Sequence, residues 1–289
     1  MLGTEFAQPR VVVVGNYKGG SGKSTFAMHL IVALLKAGRR VASFDLDVQQ
    51  QTLSRYIRNR QEWAREKGLP LELPKHTSIA DGEGVDASRD GDHVGLFTHY
   101  LETLRDDFDF VVIDTPGNET HLSLVAHGMA DTLVTPINDS FVDLDVIVSV
   151  GATDAEPTPS RYARAVAAAL DGRRAVCGWA TDWVVFRNRL ATLASRNHKQ
   201  ITRALDLIAP QAGFRIAPGL SERVIFREFF PAGLTAFDRL DERLGVNLNT
   251  SRVMARMEMR ELIEAIGLLP PDDLGGDERE TIEGAMPVS

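Results

Sequence analysis

The amino-acid sequence predicts an α/β fold: a doubly wound, mostly parallel sheet flanked by helices. Three observations predict it. Short runs of β-branched residues recur along the chain, each followed by a segment with helical spacing, and this alternation builds parallel sheets. The first run closes in a glycine-rich turn that opens directly into an amphipathic helix. The composition, 44% hydrophobic and 25% charged over 289 residues, supplies enough apolar surface for a complete core.

Arg10 to Val14 is the first strand, because its continuous valines suit a position covered on both faces. Ser24 to Lys36 is a helix, with Ala27, Leu30, Ile31 and Leu34 on one face and Gly38 as its stop. Val41 to Phe44 is the second strand, ending in Asp45 and Asp47, and a Gln- and Arg-rich helix runs from Gln49 to about Lys67. Residues 68 to 92 hold Pro, Gly and Asp without a period and read as a surface excursion with one short strand. Leu96 to Leu104 is helical, Phe108 to Ile113 is the third strand and Thr132 to Pro136 the fourth. Residues 139 to 169 read as mainly helical with a polar break at 153 to 160, and Thr181 to Arg187 is the fifth strand, built on the β formers Trp183 to Phe186. Arg189 to Ile208 reads as a charged helix, Phe214 to Ile216 as an edge strand, Ser221 to Phe229 as a short helix and Thr250 to Leu268 as the last helix. A single domain then spans residues 10 to 268, between an N-terminal extension (1 to 9) and an acidic flexible tail (269 to 289).

Several function classes are excluded at this level. A lone cysteine, Cys177, forms no internal disulfide and no cysteine-ligated metal or iron–sulfur site within one subunit. The start lacks the regions of a signal peptide and no window reaches the length of a membrane span, so a cytoplasmic protein without a membrane partner is expected. The formal net charge of −8, taken whole, suits an acidic enzyme better than a nucleic-acid binder.

Ligands of doubly wound sheets bind beyond the carboxyl ends of the strands. There the first strand continues as Gly15-Asn16-Tyr17-Lys18-Gly19-Gly20-Ser21-Gly22-Lys23-Ser24-Thr25. Gly22-Lys23-Ser24 matches the closing half of a phosphate-binding P-loop, whose backbone N–H groups and helix N-terminus cradle phosphates. Tyr17 stands where the usual first glycine would be. Gly19, Gly20, Ser21, Gly22, Lys23, Ser24 and Thr25 are the expected nucleotide contacts, with Ser24 on Mg²⁺. Asp45 and Asp47 close the second strand, and Asp114-Thr115-Pro116-Gly117 closes the third. Both lie at the edge where Mg²⁺ and its waters need anionic partners, which makes Asp45 and Asp114 metal-side residues. Gly117 would let a backbone N–H approach the γ-phosphate. Lys18, five residues before Lys23, gives the loop a second cation.

With that lysine, the loop resembles the deviant Walker A family of P-loop ATPases, the ParA and MinD group, whose KGGxGK[ST] signature stands here as Lys18 to Ser24. Longer segments are similar to the branch of that family that positions the division plane: Asp45 to Val48, Ile113 to Gly117, Ala126-His127-Gly128, Asn138 to Asp143, Asp182 to Val185, Arg187 to Thr192 and Gly213 to Ile216. The resemblance runs from about residue 10 to 235 and is weak over 68 to 92 and in the last fifty residues. It implies ATP and Mg²⁺ as ligands and slow, regulatory hydrolysis. Lys18 would reach across an ATP-bound sandwich dimer to the partner's nucleotide, Lys23 and Thr25 would contact phosphates, and Asp47 would position the attacking water. Asp114 would act on Mg²⁺ through water, and Asn188 would recognise adenine. The resemblance further implies an ATP-bound homodimer on non-specific DNA, and hence association with the nucleoid. The monomer would be captured by a ParB-like centromere-binding protein and the dimer would regulate assembly of FtsZ.

DNA binding directs attention to local charge. Between Asp182 and Arg227 eight bases face three acids, whereas residues 238 to 289 carry twelve acids and six arginines. Arg196, Lys199 and Arg203 lie three to four apart, so one helical face would offer them, with Arg223 further along the chain, to a phosphate backbone. Two alternatives stay open. A ParA-type chromosome or plasmid partition ATPase shares every catalytic residue, and a dethiobiotin-synthetase-like metabolic ligase shares the P-loop core, although Lys18 favours a switch. A membrane-bound MinD-type regulator needs a basic amphipathic C-terminal helix, and residues 271 to 289 are acidic.

Overall fold

A computed structural model describes residues 8–81, 90–104, 107–149, 156–191, 196–238 and 250–274. In chain order the first half runs β1 (Arg10–Val14), α1 (Lys23–Lys36), β2 (Val41–Asp45), α2 (Thr52–Lys67), β3 (Lys75–Ser78), α3 (Asp90–Thr103), β4 (Phe110–Asp114), α4 (His121–Met129) and β5 (Thr132–Asn138). The second half runs α5 (Phe141–Leu144), β6 (Val148–Ser149), β7 (Thr158–Pro159), α6 (Arg161–Cys177), β8 (Asp182–Asn188), α7 (Arg196–Ala212), β9 (Arg215–Ala217), α8 (Ile225–Phe229) and α9 (Thr250–Ile266). Seven strands form one sheet in the order β3-β2-β4-β1-β5-β8-β9, with every neighbouring pair parallel. From β1 the chain crosses to β2 and β3, returns to place β4 between β2 and β1, and then continues on the other side through β5, β8 and β9, and this reversal opens a crevice beyond the carboxyl end of β1.

The period-2 alternation of β1 sorts its valines between two cores. Val12 and Val14 pack with Phe26, Leu30, Leu34, Tyr56 and Met259 under α1, α2 and α9. Val13 faces the other layer with Phe97, Leu122, Tyr162, Trp183 and Leu205, under α3, α4, α6 and α7. A buried ion pair closes the first layer: Arg60 of α2 meets both Asp238 oxygens, at 2.7 and 2.8 Å, and also donates to the carbonyls of Gly233 and Glu72.

The sheet and its main helices match the sequence expectation, with strand limits shifted by up to two residues. Other expectations are corrected. Residues 139–149 hold less helix than expected, since α5 is a single turn and β6 pairs with β7 in a small antiparallel ribbon, whereas α6 starts directly after the expected break, where Ser160 caps it by accepting from Ala163 N. Pro157 and Pro159 lack the N–H groups a helix needs there. Helix α4 was not foreseen; Thr120 caps it. The helix expected from Arg189 begins instead at Arg196 and runs to Ala212. Leu190 lies in a backbone bridge beside Ser221, with Leu190 N bonded to Leu220 O at 2.9 Å. The short helix expected from Ser221 starts at Ile225, and the strand in the excursion, β3, is the edge of the main sheet. Packing also continues past residue 268. Leu269 is buried, and Asp273 in a 3-10 turn pairs with Arg39 at 2.6 Å; the remaining tail, 275–289, lies outside the described residues. Among the described residues no helix is long and apolar enough to cross a membrane.

Candidate functional site

The loop from Gly15 to Gly22 leaves β1 and delivers the N-terminus of α1 to the crevice. Asn16 braces it from below, donating to Pro136 O at 2.6 Å while its own oxygen accepts from Lys18 N at 2.9 Å. Gly22 has φ 95, a left-handed conformation, and a Cβ there would land 2.2 Å from Asn188 Nδ2. The Asn188 amide therefore packs on the loop, where it donates to Ser21 O at 2.8 Å. No acidic residue sits in the first turn of α1, so the positive end of the helix is uncompensated.

Lys23 is buried and bends back over the loop, Nζ to Lys18 O at 2.9 Å. Burial lowers its pKa, partly offset by Asp114 and Asp47. Asp114, at the end of β4, is fully enclosed, and burial with the neighbouring Asp45 pushes its carboxyl up to about 8, while a bond to Ser24 works the other way. Its Oδ1 is buried without a hydrogen-bond partner. A buried acceptor without a donor is costly, and a cation-bound water would satisfy it. A serine hydroxyl beside a carboxylate is a hard oxygen pair of the kind Mg²⁺ takes, so Ser24 and Asp114 fit that ion.

Asp45, expected on the metal side, is turned inward. Its Oδ2 accepts from Ser54 N and Ser54 Oγ, both at 2.9 Å, and its Oδ1 from Asp47 N at 3.0 Å, so both oxygens are spent on internal donors. Burial raises its pKa and those bonds oppose the rise. Asp47 itself borders a cleft of 760 Å³ that extends to Gly19–Thr25 and to Thr115–Gly117. Asp47 Oδ1 accepts from Gln49 N and Gln50 N, at 3.1 and 2.9 Å. Gly117 lies against the P-loop so closely that a Cβ would fall 2.7 Å from Gly19 Cα. The structure thus brings Lys23, Ser24, Thr25, Asp47, Asp114 and Gly117 to one crevice, with Asn188 at its side.

Lys18 is folded back on its own chain, with Nζ 3.0 Å from Val142 O and 3.1 Å from Asp143 Oδ1. The sequence reading missed these acceptors, which lie more than a hundred residues away. It also gave no role to His127, whose ring is buried against Gly15 and stacks on Tyr17 beneath the loop. Ala126-His127-Gly128 was visible as a motif, but its contact with Gly15 needs the fold.

The proposed DNA residues separate. Lys199 and Arg203 are exposed on α7, and the side chain of Arg196 lies outside the described residues. Arg223 does not extend that face as a free cation. It is half-buried and bonded to Glu258 of α9 at 2.5 Å, beside a small cavity that Asn188, Arg189 and Phe226 also line. Its sequence position gave no hint of Glu258, because the partner sits on another helix.

Comparison with known proteins bears on family and fold. The family profile described as ATPase MipZ matches residues 10–270, nearly the whole chain. The chain is 32% identical over 161 residues to the chromosome-partitioning ATPase Soj of Thermus thermophilus, covering 51% of this chain and 62% of Soj. It is 29% identical over 157 residues to maintenance of carboxysome distribution protein A of Synechococcus elongatus, covering 47% and 61%. These matches span about three-fifths of the relatives' length. Among solved structures, a Cyanothece McdA–ATP complex superposes with a TM-score of 0.59 at 17% identity, covering 91% of this chain and 98% of that one. The septum site-determining protein MinD with Mg-ADP from Pyrococcus horikoshii gives a TM-score of 0.53 at 15% identity, covering 96% and 100%. At these identities the structural likeness speaks to the fold.

Proposed function

The chain belongs to the ATPase MipZ family, and on that premise we propose that it is an ATP-dependent dimerising switch that binds DNA non-specifically and positions the cell-division site by regulating FtsZ assembly. The observation that carries this reading is the second loop lysine. Lys23 would serve the phosphates, and Lys18 of the same loop is one-third exposed and, among the described residues, held by a carbonyl and a carboxylate of its own chain. A cation so placed is free to change partners.

ATP would supply the phosphoryl group that is transferred to water, and Mg²⁺ would neutralise charge on the phosphate oxygens. The residues of the chain bind, orient and neutralise around it. Backbone N–H groups from Gly19 to Thr25 and the α1 N-terminus receive phosphate oxygens, and Lys23 exchanges the Lys18 carbonyl for them. Ser24 would ligate Mg²⁺ and Asp114 would hold it through a bound water. Asp47, with Oδ1 fixed by two backbone N–H groups, presents Oδ2 to orient the attacking water. Asn188, already lodged against Gly22, meets adenine. Lys18 leaves Asp143 and crosses to the nucleotide of a second copy. The dimer doubles the basic surface carried by Lys199 and Arg203 on α7, which makes DNA affinity depend on nucleotide without any base-reading element. Capture of the monomer by a ParB-like protein and release from the nucleoid after hydrolysis complete the cycle. A chromosome-partition role shares these residues, and the likeness to Soj supports it as the second reading.

Light scattering tests the switch. With ATP and Mg²⁺ the wild type doubles in mass and Lys18→Ala stays monomeric; a Lys18→Ala protein that dimerises normally overturns the cross-subunit role. The double variant Lys199→Glu with Arg203→Glu dimerises but loses DNA retention, and unchanged retention removes α7 from the DNA face.

A further inference from the structure

Beneath Asp47 runs a chain of hydrogen bonds that none of these roles uses. The register of β2 against β3 pairs Ser43 with His76. Ser43 Oγ lies 2.9 Å from His76 Nδ1, His76 Nε2 lies 3.0 Å from Ser54 Oγ, and Ser54 Oγ donates to Asp45 Oδ2 at 2.9 Å. The direction of the bonds nearest Asp45 follows from that end. Three donors converge on the Asp45 carboxylate, which accepts from all of them, so the Ser54 hydroxyl gives its proton to Asp45 and receives from His76 Nε2–H. The other ring nitrogen, Nδ1, is bonded to Ser43 Oγ. Ser43, Ser54 and Asp45 are buried, and His76 is half-buried at the wall of a surface cavity that Ser54 also lines.

The far end of the chain reaches the hydrolysis site. The Asp45 carboxylate grips the backbone at two points, Asp47 N through Oδ1 and Ser54 N through Oδ2. Between those points the chain passes through Gln51 at φ 45, a left-handed conformation that a residue with a Cβ keeps only when its surroundings hold it there. One carboxylate therefore pins both ends of a strained segment whose first residue is Asp47. We propose that Ser54 and His76 are positioning residues for ATP hydrolysis: they fix Asp45, Asp45 fixes the Asp47 backbone, and the Asp47 carboxylate is thereby aimed at the attacking water. This rests on the role of Asp47 proposed above.

The test is steady-state hydrolysis in four variants, with Tm and ATP affinity measured alongside. Ser54→Ala lowers kcat about ten-fold, less than the ~100-fold that a 1 Å misplacement produces, and leaves KM near the wild-type value. Ser54→Thr restores the hydroxyl and the rate. His76→Phe, which leaves the first turn of α2 untouched, gives the same loss in kcat and serves if Ser54→Ala folds poorly. In an Asp47→Ala background Ser54→Ala lowers the residual rate no further, because the group it aims is gone. Wild-type kcat in both Ser54→Ala and His76→Phe, beside an impaired Asp47→Ala, overturns the positioning role alone. An equal loss with and without Asp47 also overturns it, since the effect is then a general one. Full hydrolysis by Asp47→Ala overturns the reading of Asp47 itself, and this inference with it.

Discussion

Gly117→Ala is the most sharply determined perturbation of the crevice. The methyl group would sit 2.7 Å from Gly19 Cα and 2.8 Å from Gly19 N. Carbon atoms rest at about 3.5–4.0 Å, and both neighbours are backbone, so the loop after β4 must withdraw from the P-loop by about 1 Å. Overpacking of this kind costs about 1–3 kcal/mol. At ~2–4 °C per kcal/mol that lowers Tm by about 2–12 °C. Withdrawal by this distance also lowers kcat about 100-fold, because the loop carries the N–H that approaches the transferred phosphoryl group. Gly19→Ala is the control from the other side of the same contact: a Cβ at Gly19 has nothing within 4 Å, so the nucleotide-free variant melts at or slightly above the wild-type temperature. Differential scanning calorimetry without nucleotide, followed by phosphate release with ATP, reads both effects. If Gly117→Ala melts and hydrolyses like the wild type, the two loops are not pressed together and the crevice has been misread.

Further predictions concern the groups around the crevice. Burial holds the His127 ring neutral to about pH 3 against an ordinary value of 6.5, so the unfolded chain takes up a proton first and stability falls as pH drops through 6.5. Between pH 6 and 5 the wild type should lose about 1 kcal/mol more stability than His127→Leu in urea titrations; parallel pH profiles would contradict the neutral ring. Asp143→Asn weakens the acceptor that holds Lys18 in its own chain. Because Lys18 is one-third exposed, the pair is worth at most about 1 kcal/mol, so ATP-driven dimerisation tightens about two- to five-fold in sedimentation equilibrium, and a weaker dimer would contradict the competition. Arg60→Ala removes the bidentate partner of the buried Asp238 carboxylate, which keeps Lys36 at 3.6 Å and the Thr235 donors, so the cost in chemical denaturation falls below the ~3–5 kcal/mol of a fully stranded charge, at about 1–3 kcal/mol; full stability of the variant would contradict a buried pair.

What the sequence disclosed depended on whether partners were close along the chain. The P-loop was legible because Lys18 to Thr25 are consecutive and each type has one use at its offset. Asp114 was legible as the polar end of an apolar run. The sheet was legible because β-branched runs alternate with helical spacing. The Lys18–Asp143 and Arg223–Glu258 pairs were hidden because their members sit 125 and 35 residues apart on elements that meet only in the folded chain. His76 was hidden differently. Its strand lies in a stretch without periodicity, because an edge strand that pairs on one side needs little apolar pattern. Asp45 was misassigned because a carboxylate at a strand end looks alike whether it faces a metal or three internal donors. Ahead of the polar break at 153–160 the helix was overextended, because Phe141, Val142, Leu144, Val146, Ile147 and Val148 are apolar enough to read as helix although they form one turn and a short strand.

The net charge of −8 makes DNA binding the strongest claim in the account. The measurement that tests it most directly is retention of wild-type protein on duplex DNA of unrelated sequences, with ATP and with ADP, across a salt series. The account predicts retention with ATP that is indifferent to sequence and falls steeply and log-linearly with salt, and little retention with ADP. Equal retention in the two nucleotide states, or none in either, would contradict it.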